Sequence, residues 1–141
     1  LDYCNDRAQF GRPLSKFQAV QHQLAILATH SCAASVAADM AIAAFADLDE
    51  NPDNFVLIAA AVKIRCAEAA TAAASIAHQA HGAIGFSQEY PLHLLTRRLW
   101  AWRDENGSEA ELAGDLAKWA CDLPEGGFWP ALTSFDITEV A

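Results

Sequence analysis

Roughly a fifth of the residues in this 141-residue chain are alanine, and β-branched residues are few. Alanine is the best helix former, and its short side chain permits close helix–helix approach. A sheet protein would need the opposite usage. The sequence therefore predicts an all-α fold, and its breaks predict where the helices lie. Residues 1–8 read as the end of a helix, stopped by Gly11 and Pro13. A long helix is expected over residues 15–48, with Ser15 as N-cap and Phe17, Val20, Leu24, Leu27 and Ala28 at spacings of three and four. The polar run 49–54, with Pro52, separates it from a second long helix over 55–79. That helix is small or apolar on more than one face and should lie centrally. Gly82 and Gly85 end it, and 81–90 reads as a loop. Pro91 opens a third helix to Asp104, and Asn106-Gly107-Ser108 breaks it. Ser108 caps a fourth helix over 109–120, with Glu109 and Glu111 in its first turn. The expected architecture is an antiparallel four-helix bundle over 1–120. Residues 121–141 are expected to form an irregular tail without helical period, draped so as to bury Phe128, Trp129 and Phe135.

Composition narrows the function. The chain is 53% hydrophobic and 19% charged, enough apolar material for one folded domain. Its net charge of −9 argues against a nucleic-acid binder, which needs clustered positive charge. Asp39, Asp47, Lys63 and Arg65 interrupt the apolar stretches, so no membrane span is expected. Cys4, Cys32, Cys66 and Cys121 form no CxxC pair and read as buried free thiols in a reducing cytoplasm. No signal peptide is visible, and the sole methionine is Met40. A chain that starts at Leu1 in what reads as mid-helix is expected to be a piece of a longer protein, or a processed one.

Three clusters could carry chemistry. In Arg7-Ala8-Gln9-Phe10-Gly11 a guanidinium stands beside a glycine break, where it can fork onto a phosphate; a solvated helix end is the plainer alternative. In 78–86, His78 and His81 flank a helix end with two glycines. No third ligand has metal-site spacing, so no metal is expected there. The glycines permit close backbone approach to a ligand. In 97–107, Arg97, Arg98, Trp100, Trp102 and Arg103 interleave cations with aromatics ahead of Asp104, Glu105, Asn106 and Gly107. Such a patch can stack a planar ring, and an acidic residue at a helix end can serve as a general base. Packing with surface ion pairs is the plainer reading. No P-loop, nucleophile elbow or dinucleotide fingerprint is present.

Taken in order, these clusters resemble the C-terminal domain of the acyl-CoA dehydrogenase family. The resemblance is carried by Arg7-Ala8-Gln9-Phe10-Gly11-Arg12-Pro13-Leu14, then Phe17-Gln18-Ala19-Val20-Gln21-His22, then Gln79-Ala80-His81-Gly82-Ala83-Ile84-Gly85-Phe86 leading into Glu89-Tyr90-Pro91-Leu92, and a glycine turn at Gly107. It spans residues 1–120 and leaves the tail aside. It implies a flavoprotein whose N-terminal helical and middle β-domains lie outside this chain. Such proteins bind FAD, assemble as homo- or hetero-oligomers (dimers or tetramers) and oxidise an acyl-CoA thioester to the 2,3-enoyl-CoA. An electron-transfer flavoprotein usually takes the electrons. By position, Arg7, Gln9 and Phe10 would contact the FAD pyrophosphate of a neighbouring subunit. Phe17 and Gln18 would lie near its adenosine half, and Gln79, His81, Gly82 and Ala83 would belong to the loop that meets the same cofactor.

One position departs from the pattern. Many family members carry their catalytic Glu immediately before a Gly in this turn. Aligning Gly107 with that Gly puts Asn106 at the Glu position, and a neutral amide cannot accept the α-proton. Three explanations stand: the base lies on a segment outside this chain, the chain belongs to a non-catalytic subunit, or the register shifts by one and Glu105 is the base. Asp104 and Glu105 are no automatic substitutes, since a helix turns about 100° per residue. Two rival functions remain beside the dehydrogenase: an isolated bundle serving assembly only, and a helical module binding another small molecule through 97–102.

Overall fold

A computed structural model describes residues 1–133, and the expected burial of Phe135 lies outside them. The chain is built of helices α1 (Asp2–Asp6), α2 (Gln18–Ala46), α3 (Pro52–His81), α4 (Leu92–Asp104), α5 (Glu109–Asp122) and α6 (Phe128–Thr133). Strands β1 (Ala8–Gln9) and β2 (Arg12–Pro13) form a small antiparallel hairpin pairing Ala8 with Pro13 and Gln9 with Arg12. The long helices α2 to α5 make up the bundle, and α2, α4 and α5 all pack against α3.

The buried positions explain why α3 is central. Ile58, Ala69 and Ile76 are buried, and their spacings of eleven and seven put them on one face. Ala67, Ala74 and His78 are buried on the opposite side, since two residues of helix turn it by about 200°. Helices can therefore dock on both sides of α3. Ala74 is 0% exposed, so its neighbours touch the helix almost at the backbone. At the far end Lys63 Nζ, on α3, donates to the Trp102 carbonyl in the last turn of α4 at 2.5 Å. Arg103 reaches back to Thr71 Oγ1 at 3.3 Å. A cation at a helix C-terminus satisfies carbonyls that lack helical partners.

Several expectations need correction. Ser15 does not cap α2: it sits in a 3-10 turn (Leu14–Lys16), its carbonyl accepts from Gln21 Nε2, and Phe17 is the N-cap. The segment 1–8 is not one helix end, because α1 stops at Asp6 and the hairpin follows. Helix α3 starts three residues before the expected Phe55, with Pro52 in its first turn, where the missing N–H costs nothing. The stretch 81–90 contains a 3-10 helix (Gly82–Phe86). The tail is not wholly irregular: α5 runs to Asp122 and α6 forms, with Phe128 and Leu132 beside an apolar groove between α2, α3 and α5, yet the expected burial fails, since Phe128 is 47% and Trp129 70% exposed. All four cysteines are free, yet only Cys4 is buried, and Cys32 and Cys121 are exposed. Helix α2 is also long and apolar enough, by length and composition, to cross a membrane, contrary to the expectation. Asp47 caps its end instead of interrupting it, and Asp39 is its only acidic or basic side chain apart from histidines.

Ser108 caps α5 as expected. Its hydroxyl accepts from the Glu111 N–H, and Glu111 Oε2 accepts from the Ser108 N–H and Oγ, a reciprocal capping box. The hydrogen bond from the Ser108 backbone, then that from its hydroxyl, hold the Glu111 carboxyl below its usual range. A depressed carboxyl stabilises the fold above its unfolded pKa, and that contribution disappears as pH falls through the folded value. Ser108→Ala should therefore lower the melting temperature at neutral pH and flatten its acid dependence below about pH 4.5, read by thermal denaturation across pH. Ala74→Leu should cost about 1–3 kcal/mol by overpacking the α3 contact, measured by urea unfolding.

Candidate functional site

A cavity of about 650 Å³ lies where α1, the hairpin, the start of α2 and the end of α3 meet. Its walls include Tyr3, Arg7, Gln9, Leu14, Ala19, Val20, Gln23, Leu24, Ile76, Gln79, Ala80, His81, Gly82, Ala83 and Ile84. Local chemistry shapes it. Phe10 and Gly11 both have positive φ, 52° and 79°, the backbone that closes a two-residue hairpin. A phenylalanine rarely adopts that region, and Phe10 is 92% exposed at the tip. Its ring meets Phe17 edge-on at 6.3 Å, and the Arg12 guanidinium lies 4.1 Å over Phe17. At the other wall Gly82 turns the chain out of α3 at φ 63°, with no atom within 4 Å of where a Cβ would stand. Only a glycine makes that turn without strain.

The walls suit an anion. Arg7 is exposed, and its guanidinium has no ion pair or hydrogen bond among the described residues. No acidic side chain lines the cavity. Helix α2 begins beside it with no side-chain cap and no acidic residue in its first turn. The N–H groups of Gln18 and Ala19 lack a partner among the described residues. A 29-residue helix directs partial positive charge toward that end. Gln9, Gln23 and Gln79 add exposed carboxamides that donate and accept.

Beneath the cavity an aromatic layer fixes the end of α3. Tyr3 donates to the His81 carbonyl at 3.3 Å and stacks on the His81 ring at 4.1 Å. His81 Nε2 lies 3.2 Å from the Tyr90 hydroxyl. The buried His78 stacks on Phe86 at 4.6 Å and lies parallel to Trp100 at 6.3 Å. Thr96 Oγ1 donates to the Leu92 carbonyl, so it accepts from His78 Nε2–H at 2.9 Å. The two histidines thus point their chemistry at different partners.

The cavity gathers Arg7, Gln9, Gln79, His81, Gly82 and Ala83 of the expected contact residues. It does not include Phe10, Phe17 or Gln18, which lie on the hairpin tip and its approach to α2. Glu105 and Asn106 do not line it either. Both are exposed beyond the end of α4, Glu105 with extended backbone and Asn106 with φ 59°. Asp104 is held by Arg103 at 3.0 Å, and that hydrogen bond and charge raise the arginine above its ordinary value. Trp102 carries Arg98 at 5.7 Å, while Trp100 packs toward His78. Sequence reasoning missed Tyr3, Gln23 and Ile76, because nothing in local pattern says which elements converge.

Gly85 is buried under the turn. A Cβ there would stand 2.8 Å from His81 Cβ and 3.3 Å from Leu92 Cδ2. Gly85→Ala should cost about 1–3 kcal/mol and loosen the turn, visible as faster amide exchange over residues 82–86.

The sequence profile described as "Acyl-CoA dehydrogenase, C-terminal domain" matches residues 1–121. Similar proteins include a 3-sulfinopropanoyl-CoA desulfinase of Paraburkholderia xenovorans, 39% identical over 97 residues (69% of this chain, 24% of the relative). An acyl-CoA dehydrogenase of Mycobacterium tuberculosis is 35% identical over 98 residues (70% and 28%). A glutaryl-CoA dehydrogenase of Desulfococcus multivorans is 39% identical over 92 residues (65% and 23%). The matched region is about a quarter of the length of these relatives. The chain belongs to the acyl-CoA dehydrogenase family, as its C-terminal helical domain.

Proposed function

We propose that this domain anchors FAD and joins subunits in an acyl-CoA dehydrogenase-like flavoprotein acting on a CoA thioester. The observation that carries the reading is the acid-free cavity with a free Arg7, an uncapped α2 N-terminus and the open Gly82 turn. Arg7 would hold a diphosphate by forked, charge-assisted hydrogen bonds. The N–H groups of Gln18 and Ala19 would add neutral donors, and Gly82 would let the backbone come close. The flavin, when bound, supplies the hydride-accepting chemistry. An electron-transfer flavoprotein is the acceptor that the family resemblance implies. A cytoplasmic setting is part of this proposal.

The exposed apolar side chains of α2, among them Ile26, Val36, Ile42 and Phe45, support a role in assembly. We read α2 as an interface helix instead of a membrane span, because it packs along α3 within the matched helical domain. Asn106 favours a second reading in which this subunit supplies no base and its partner or another segment does. Nor does the domain dictate the reaction: relatives carry the names desulfinase and acryloyl-CoA reductase as well as dehydrogenase.

The test uses the whole protein in its native assembly. Arg7→Ala should weaken flavin retention about 10–100-fold, the value of one charge-assisted contact, with the helical circular dichroism unchanged. Undiminished flavin occupancy in the assembled variant would sink the anchoring role. Bleaching of the visible flavin band by a thioester would support a dehydrogenase, whereas a flavin band that no thioester bleaches would favour the subunit without a base.

A further inference from the structure

We propose that Asn106–Gly107 is a site of spontaneous deamidation, at which this chain converts a neutral amide into a carboxylate at the corner between α4 and α5. Three observations carry this. Asn106 is exposed, outside any helix. The residue after it is glycine, so no side chain hinders approach of the backbone nitrogen to the Asn106 side chain. The Gly107 N–H makes no hydrogen bond among the described residues, so the nucleophile is free.

The chemistry balances without a cofactor. The deprotonated Gly107 nitrogen attacks Asn106 Cγ and forms a five-membered succinimide. The bond from Cγ to the side-chain nitrogen breaks, and ammonia leaves with the proton that the backbone amide gave up. Water then opens the ring at either carbonyl, leaving aspartate or isoaspartate. The net change is one water consumed and one ammonia released, with no redox step. The rate rises with pH, because the attacking nitrogen must lose its proton.

The other three asparagines are poor substrates for the same reaction. Asn51 precedes Pro52, which has no N–H. Asn5 and Asn54 lie in α1 and α3, where helical backbone holds them and the next residue is not glycine. At Asn106 the new negative charge would join Asp104, Glu105 and Glu109, with Arg103 already paired to the first and last of these. The net charge moves from −9 by one unit to −10. Under the reading proposed above, the change also installs a carboxylate where the family resemblance expects a base.

The test is incubation of the purified folded protein at 37 °C and mildly alkaline pH. Isoelectric focusing, peptide mass mapping and isoaspartyl methyltransferase labelling follow the product. Expected are an acidic charge variant that grows with pH, with mass gain and isoaspartate confined to Asn106, and loss of both in Asn106→Gln. A synthetic peptide covering 102–111 gives the intrinsic rate. If that peptide converts while Asn106 in the folded protein does not, or if Asn5 and Asn54 convert as fast, the proposal is overturned. These readouts need no flavin and no turnover, so failure of the dehydrogenase reading leaves them intact.

Discussion

Along α3 the side chains of Ala67, Ala69 and Ala74 end at Cβ, and neighbouring helices come to rest almost on its backbone. That closeness sets the spacing of the bundle. It puts the Trp102 carbonyl of α4 within reach of Lys63, and it brings Thr96 of α4 against His78. A larger residue on either buried stripe would move α4 away from those partners. Helix propensity alone would not hold the arrangement, since most helical stability in proteins comes from packing.

The same use of small residues leaves the bundle thinly filled. Among the described residues, eight apolar side chains, two polar ones and Gly85 are buried, and none of the large side chains is fully enclosed. Ile42 of α2 remains 69% exposed. Under the proposed assembly role, the apolar flank of α2 is the surface that other parts of the protein would cover. The cavity shares this openness: its cationic wall faces outward from the end of the bundle.

Helices and their breaks were legible because alanine runs and Gly, Pro and Asn punctuation act locally. The central position of α3 was legible too, since its apolar residues occupy two faces. Ser15 misled, because a capping residue competes with the tight turn that Pro13 and Leu14 begin. The hairpin was not readable, for Phe10 is an unfavourable residue at positive φ and only tertiary context keeps it there. Short α6 escaped because six residues with Pro130 carry no full period. At the cavity, Arg7, Gln79 and Gly82 were visible as chemistry beside breaks. Tyr3 and Gln23 were not, because their roles come from α1 and α2 meeting the end of α3.

The layer of rings under the cavity has a mechanical consequence. Phe86, His78 and Trp100 lie nearly parallel, with interplanar angles of 26° and 18° about the histidine. This stack runs from the glycine turn, through α3, into the final turns of α4. Aromatic planes resist compression more than they resist sliding. Through His78, which also bonds Thr96, the glycine turn and the last turns of α4 are thereby tied to the same face of α3.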